Sequence, residues 1–109
     1  MLKAVFYRRG NALVGFTVTG HAGYGVEGTD IVCAAVSSAV MLVCNTVTDF
    51  FGAAADVSVE ENRITLKLKE QNDAAEKLLE SFYAHMEIIA EEHSKIKLET
   101  HNTGGKNDD

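Results

Sequence analysis

From Leu2 to Arg8 and again from Leu13 to Thr19 the chain is rich in Val, Phe, Tyr and Thr, with Gly10-Asn11 between the two runs. Branched and aromatic residues suit a pleated, half-buried surface, and such a pair marks a tight turn, so the pattern predicts a β-hairpin. Gly20-His21-Ala22-Gly23-Tyr24-Gly25-Val26-Glu27-Gly28 then places four glycines in nine residues, which predicts a loop with unusual backbone angles. Thr29 or Asp30 can cap the next element, a helix to about Phe51 stopped by Gly52. It is apolar on nearly every side, as a helix buried against a sheet and a partner would be. Its small residues Ala34, Ala35 and Ser38 allow close approach.

A second hairpin follows. Val57 and Val59 alternate with polar neighbours, Glu61-Asn62 makes the turn, and Ile64, Leu66 and Leu68 alternate again. Asn72 caps a second helix whose apolar positions Ala75, Leu78, Leu79, Phe82, Met86, Ile89 and Ala90 follow the 3.6 period. Glu76, Lys77, Glu80, Glu87 and Glu91 form its solvated face. Ile96 and Leu98 predict a short last strand. The order ββα-ββα-β predicts an α+β fold, a two-layer α/β sandwich with two helices on a mainly antiparallel sheet. One domain spans 1–100, and the polar residues 101–109 read as a disordered tail.

The chain has 109 residues, 46% of them hydrophobic, enough for one core. Its formal charge of −6 argues against nucleic-acid binding, which needs a basic footprint, and suits a basic protein as partner. The apolar stretch from Ile31 to Cys44 is 14 residues, short of the roughly 20 a membrane span requires. No signal-peptide core follows Met1-Leu2-Lys3. With two cysteines and no disulfide pattern, the expected location is the reducing cytoplasm.

The chemistry concentrates between Gly20 and Ser37. His21 stands at the mouth of the glycine loop and Cys33 in the first turn of the helix after it. Unpaired N–H groups and the positive end of the helix dipole favour a thiolate there, and a histidine in reach accepts its proton. Asp30 either caps the helix or orients the imidazole; both roles suit an aspartate. Ser37, one turn beyond Cys33, either supports the thiol and substrate or packs closely. Cys44 lies about 16 Å farther along the axis, so the two cysteines cannot pair, and Cys44 reads as a buried structural thiol.

Two other chemistries fit poorly. Gly23-Tyr24-Gly25-Val26-Glu27-Gly28 matches a dinucleotide fingerprint, but it follows a hairpin, and Asp49, about 20 residues on, falls inside the helix. His21, Cys33, Cys44, His85 and His93 show no metal-ligand spacing, so neither a metal nor a cofactor is expected.

The run from Gly20 to Gly25, Gly28, and Asp30-Ile31-Val32-Cys33-Ala34-Ala35-Val36-Ser37 resembles the ribosomal-processing cysteine protease family, Prp. That resemblance implies a compact, usually homodimeric cytoplasmic enzyme. It would remove an N-terminal extension from a large-subunit ribosomal protein and make no direct contact with nucleic acid or membrane. Carried over, Cys33 is the nucleophile and His21 the general base, with Asp30 and Ser37 supporting. Gly20, Gly23, Tyr24, Gly25 and Gly28 become a substrate loop that closes over the peptide. The contrasting class is a non-enzymatic ribosome-assembly module that binds a basic ribosomal protein through the glycine loop.

Overall fold

The computed structural model describes residues 2–20, 30–93 and 96–103. In chain order they form β1 (Leu2–Arg9), β2 (Ala12–Thr19), α1 (Asp30–Asn45) with a π-helical turn (Thr46–Phe50), β3 (Ala55–Glu60), β4 (Arg63–Leu68), α2 (Asp73–Glu92) and β5 (Ile96–Asn102). The strands make one sheet in the order β3-β4-β2-β1-β5. Only the β1–β5 pair is parallel; β1–β2, β2–β4 and β3–β4 are antiparallel. The fold is α+β, two helices on a mostly antiparallel sheet.

The alternation in each strand explains the layers. Leu2, Ala4 and Phe6 of β1, Phe16 and Val18 of β2, and Ile64, Leu66 and Leu68 of β4 are all buried. They meet Val36, Val40, Val43 and Val47 from the first helical segment and Ala75, Leu79, Phe82 and Met86 from α2. Phe6, Phe16 and Phe82 form a ring cluster with centroids 5.1–5.9 Å apart. On the opposite face, the buried Thr17 hydroxyl bridges Tyr7 Oη at 2.9 Å and Thr65 Oγ1 at 3.2 Å, so its polar group is satisfied.

The end of α1 has a local cause. Thr46 Oγ1 donates to the Leu42 carbonyl at 2.7 Å and Thr48 Oγ1 to the Cys44 carbonyl at 3.0 Å. Such back-bonding competes with the regular ladder, and here the Phe51 N–H reaches the Thr46 carbonyl, five residues back. Gly52, at φ +60°, then reverses the chain as expected of a helix stop.

Three sequence expectations change. The helical segment Ile31–Phe50 is 20 residues with mean hydropathy 2.0, long and apolar enough to cross a bilayer by length and composition. Counting 14 residues therefore does not exclude a span; Val36, Val40, Val43 and Val47 of this segment are buried on the sheet, while its other side is exposed. His101 and Asn102 continue β5 alongside Tyr7 and Arg8, and the Thr103 N–H donates to the Arg8 carbonyl at 2.7 Å. Pairing with β1 holds these polar residues in the sheet, past the expected boundary at 100. Finally, Val57 and Val59 stand on the helix side of the sheet but remain exposed, because β3 lies at its edge.

Candidate active site

Cys33 is the fourth residue of α1, within its first turn, and is half-buried. Its thiol points back to the end of β2, where Sγ donates to the Gly20 carbonyl at 4.0 Å. Gly20 has φ +77°, a backbone region that side-chain-bearing residues rarely take. This turns the chain out of the sheet and directs its carbonyl at the sulfur. The Gly20 N–H donates to the Asn62 carbonyl at 3.2 Å, so the β3–β4 turn anchors the root of the glycine loop. The sequence marks Asn62 only as a turn residue, with no signal that it meets Gly20. It reaches Gly20 only because β2 and β4 pair with Thr19 opposite Arg63.

Ser37 follows one turn after Cys33 and is half-buried on the same flank of α1. Asp30 opens α1; its choice between capping and orienting His21 lies outside the described residues, as do His21, Gly23, Tyr24, Gly25 and Gly28. Cys44 is buried, and burial pushes its thiol up to about 11. It therefore stays protonated and unreactive. His85 and His93 are exposed on and just after α2. Among the described residues no three His, Cys, Asp or Glu side chains are grouped to hold a metal. A cavity of about 280 Å³ lined by Arg9, Val14, Leu68, Gln71 and Glu76 holds none of the expected site residues.

A partly accessible thiol at a helix N-terminus, flanked by a glycine loop, is an arrangement suited to covalent acyl transfer. The family model of cysteine protease Prp matches residues 1–97. The chain belongs to the cysteine protease Prp family. It is thus a peptide hydrolase, and the sequence resemblance carried by Gly20 to Ser37 extends over nearly the whole chain. A search of curated protein sequences found no match. Among solved structures, a Streptococcus mutans protein is similar with TM-score 0.81 and 29% identity, over 93% of this chain and 96% of that one. The essential ribosomal processing protease Prp of S. aureus, in complex with a substrate peptide, shares the fold at TM-score 0.84 and 21% identity. That match covers 93% of this chain and all of the other. The same S. aureus protease with a covalently linked product peptide matches at TM-score 0.81 and 22% identity, with the same coverage.

Proposed function

We propose that this Prp-family protease is an endopeptidase that removes an N-terminal extension from a large-subunit ribosomal protein, with Cys33 as nucleophile and His21 as general base. The observation that carries the reading is the place of Cys33: in the first turn of α1, half-buried, and beside the Gly20 carbonyl that leads into His21. In this reading His21 takes the thiol proton as sulfur adds to the scissile carbonyl carbon. The resulting oxyanion is met by N–H groups of the first turn of α1, which have no intrahelical partner. The C–N bond breaks as His21 returns the proton to the leaving amine, and water then hydrolyses the thioester. Asp30 and Ser37 support this pair, and the glycine loop through Tyr24 covers the peptide. The S. aureus relative, described as a ribosomal processing protease and seen with a substrate peptide, supports the substrate class. The same proposal has the reaction occur in the cytoplasm, in keeping with two cysteines and no disulfide pattern.

A homodimer belongs to the same proposal. Ile31 (78% exposed), Leu42 (68%) and Phe50 (82%) stand with Met41 on the outer side of the first helical segment. Ala34, Ala35 and Ser38, also exposed, lie between them and allow close approach. An apolar surface of this kind suits a second copy.

The deciding experiment is mass spectrometry of the extended ribosomal protein after incubation with wild type, Cys33→Ala and His21→Ala. Wild type shortens the substrate and Cys33→Ala leaves it intact. His21→Ala slows cleavage by about 10²–10⁴-fold, the usual worth of a general base. Full cleavage by Cys33→Ala ends the proposal. Binding without cleavage by the wild type would instead favour an assembly module.

A further inference from the structure

Val57 and Val59 pair across strands with Leu66 and Ile64, so their side chains rise on the helix side of the sheet. Yet they are 38% and 59% exposed. On α1, Cys33, Ser37 and Met41 recur every fourth residue and share one flank. Val32 and Ala39, packed against the core, lie on the other. The unit β2–α1–β3 joins two parallel strands with β4 between them. Such crossovers are right-handed. That hand turns the flank of Cys33, Ser37 and Met41 toward β3 and the flank of Val32 and Ala39 toward α2. Val57 and Val59 therefore lie uncovered on the side of α1 that carries the sulfur.

The outer edge of β3 presents N–H and C=O groups that no strand among the described residues pairs. An extended peptide binds such an edge by strand addition, with alternate side chains entering pockets. From Ala55 to Asn62 the strand and its turn carry Asp56, Glu60 and Glu61; Asp56 and Glu60 lie on the face opposite Val57 and Val59, across from Lys67 and Arg63 of β4. Among the described residues none of these acids is in an ion pair. The apolar positions Val57 and Val59 match a peptide with apolar side chains at alternate positions, and the chain's net charge of −6 favours a basic one.

We infer that β3 is the substrate track: the peptide adds to it as a further strand, and Val59 and Val57 read its apolar side chains. The inference rests on Cys33 being the nucleophile. It also sets positions. Asn62 lies one strand spacing from Gly20, and Val59 lies three residues back along the hairpin. Val59 stands level with Val18, two strands across and two residues back from Gly20, so with about 4.8 Å between strands and about 3.4 Å per residue it is about 12 Å from Gly20. It meets a side chain about three residues from the scissile bond, and Val57 meets one about five residues away.

The test compares an extended synthetic peptide spanning the cleaved junction with one cut back to two residues on each side of the bond. Wild type prefers the long peptide by about 10–200-fold in kcat/KM, the range one apolar contact commands. Val59→Glu abolishes that preference, mainly through KM, and Val57→Glu weakens it. Iodoacetamide labelling of Cys33 and the melting curve verify that each variant is folded with its thiol in place. Retained preference in both variants overturns the inference. So does parallel loss on both peptides together with a shift from dimer to monomer in light scattering, which would make this edge an interface between copies. Cleavage of both peptides by Cys33→Ala removes the nucleophile itself, an outcome separate from either.

Discussion

The sulfur of Cys33 lies 4.0 Å from the carbonyl oxygen of Gly20, and the Gly20 N–H is held by Asn62 from the neighbouring hairpin. Three parts of the chain thus meet at one point: the end of β2, the start of α1 and the β3–β4 turn. Cys44, only three turns along the same helix, shares none of this. It faces the core, and burial raises its thiol to about 11. Iodoacetamide under native conditions therefore labels Cys33 well before Cys44, as peptide mass mapping over a time course will read. Equal rates at the two sites would contradict the assignment of Cys33.

The same burial gives Cys44 a pH signature. Its thiol ionises in the unfolded chain near 9.0 but in the folded protein only at about 11. The neutral thiol's contribution is complete below pH 9.0 and is lost as pH rises toward about 11. Urea midpoints across that window decline in the wild type, and Cys44→Ala removes this part of the decline. An unchanged slope in the variant would show that other groups govern the alkaline limb.

Gly15 is required for contact rather than for backbone freedom. A Cβ there would come 2.4 Å from the Leu66 carbonyl oxygen and 3.0 Å from Lys67 Cα, both main-chain atoms of β4. Gly15→Ala must spread β2 from β4 and so costs about 1–3 kcal/mol, the usual range for overpacking. Thermal denaturation should show a fall of several degrees. A variant as stable as wild type would mean that the sheet yields at no cost.

Asn72 caps α2 by accepting the Ala75 N–H at 2.9 Å, while Glu76 accepts the Asn72 N–H at 3.3 Å. Asn72→Ala loses about 1 kcal/mol, and Asn72→Asp, which keeps the acceptor, retains most of the stability. Chemical denaturation of the pair separates a cap from a mere surface residue.

On the helix-free face, partial desolvation acts to raise the Glu99 carboxyl, but Lys3, His101 and Lys97 outweigh it and hold it below its ordinary value of 4.5. A lowered folded value stabilises the protein above the unfolded pKa, and that contribution is lost as pH falls through the folded value. Below pH 4.5 the wild type therefore loses stability through this group, and Glu99→Gln flattens that part of the acid limb. Parallel urea titrations of the two proteins decide it.

The local pattern of residues by itself determined most of the fold. Alternation in β1, β2 and β4, the cap at Asn72 and the glycine stops follow from short-range sterics and hydrogen bonding, so they were legible from neighbours in the chain. The same holds for the place of Cys33 in the first turn of α1, since the start of that helix is a local feature. What only the tertiary structure decided involves partners far apart in sequence. The parallel pairing of β5 with β1 drew His101 and Asn102 into the sheet against their polarity. The approach of Asn62 to Gly20 depends on the β2–β4 register, which no local signal encodes. Val57 and Val59 carry the alternation of a covered strand, but exposure is set by which strand ends at the sheet edge, and strand order is a property of the whole chain.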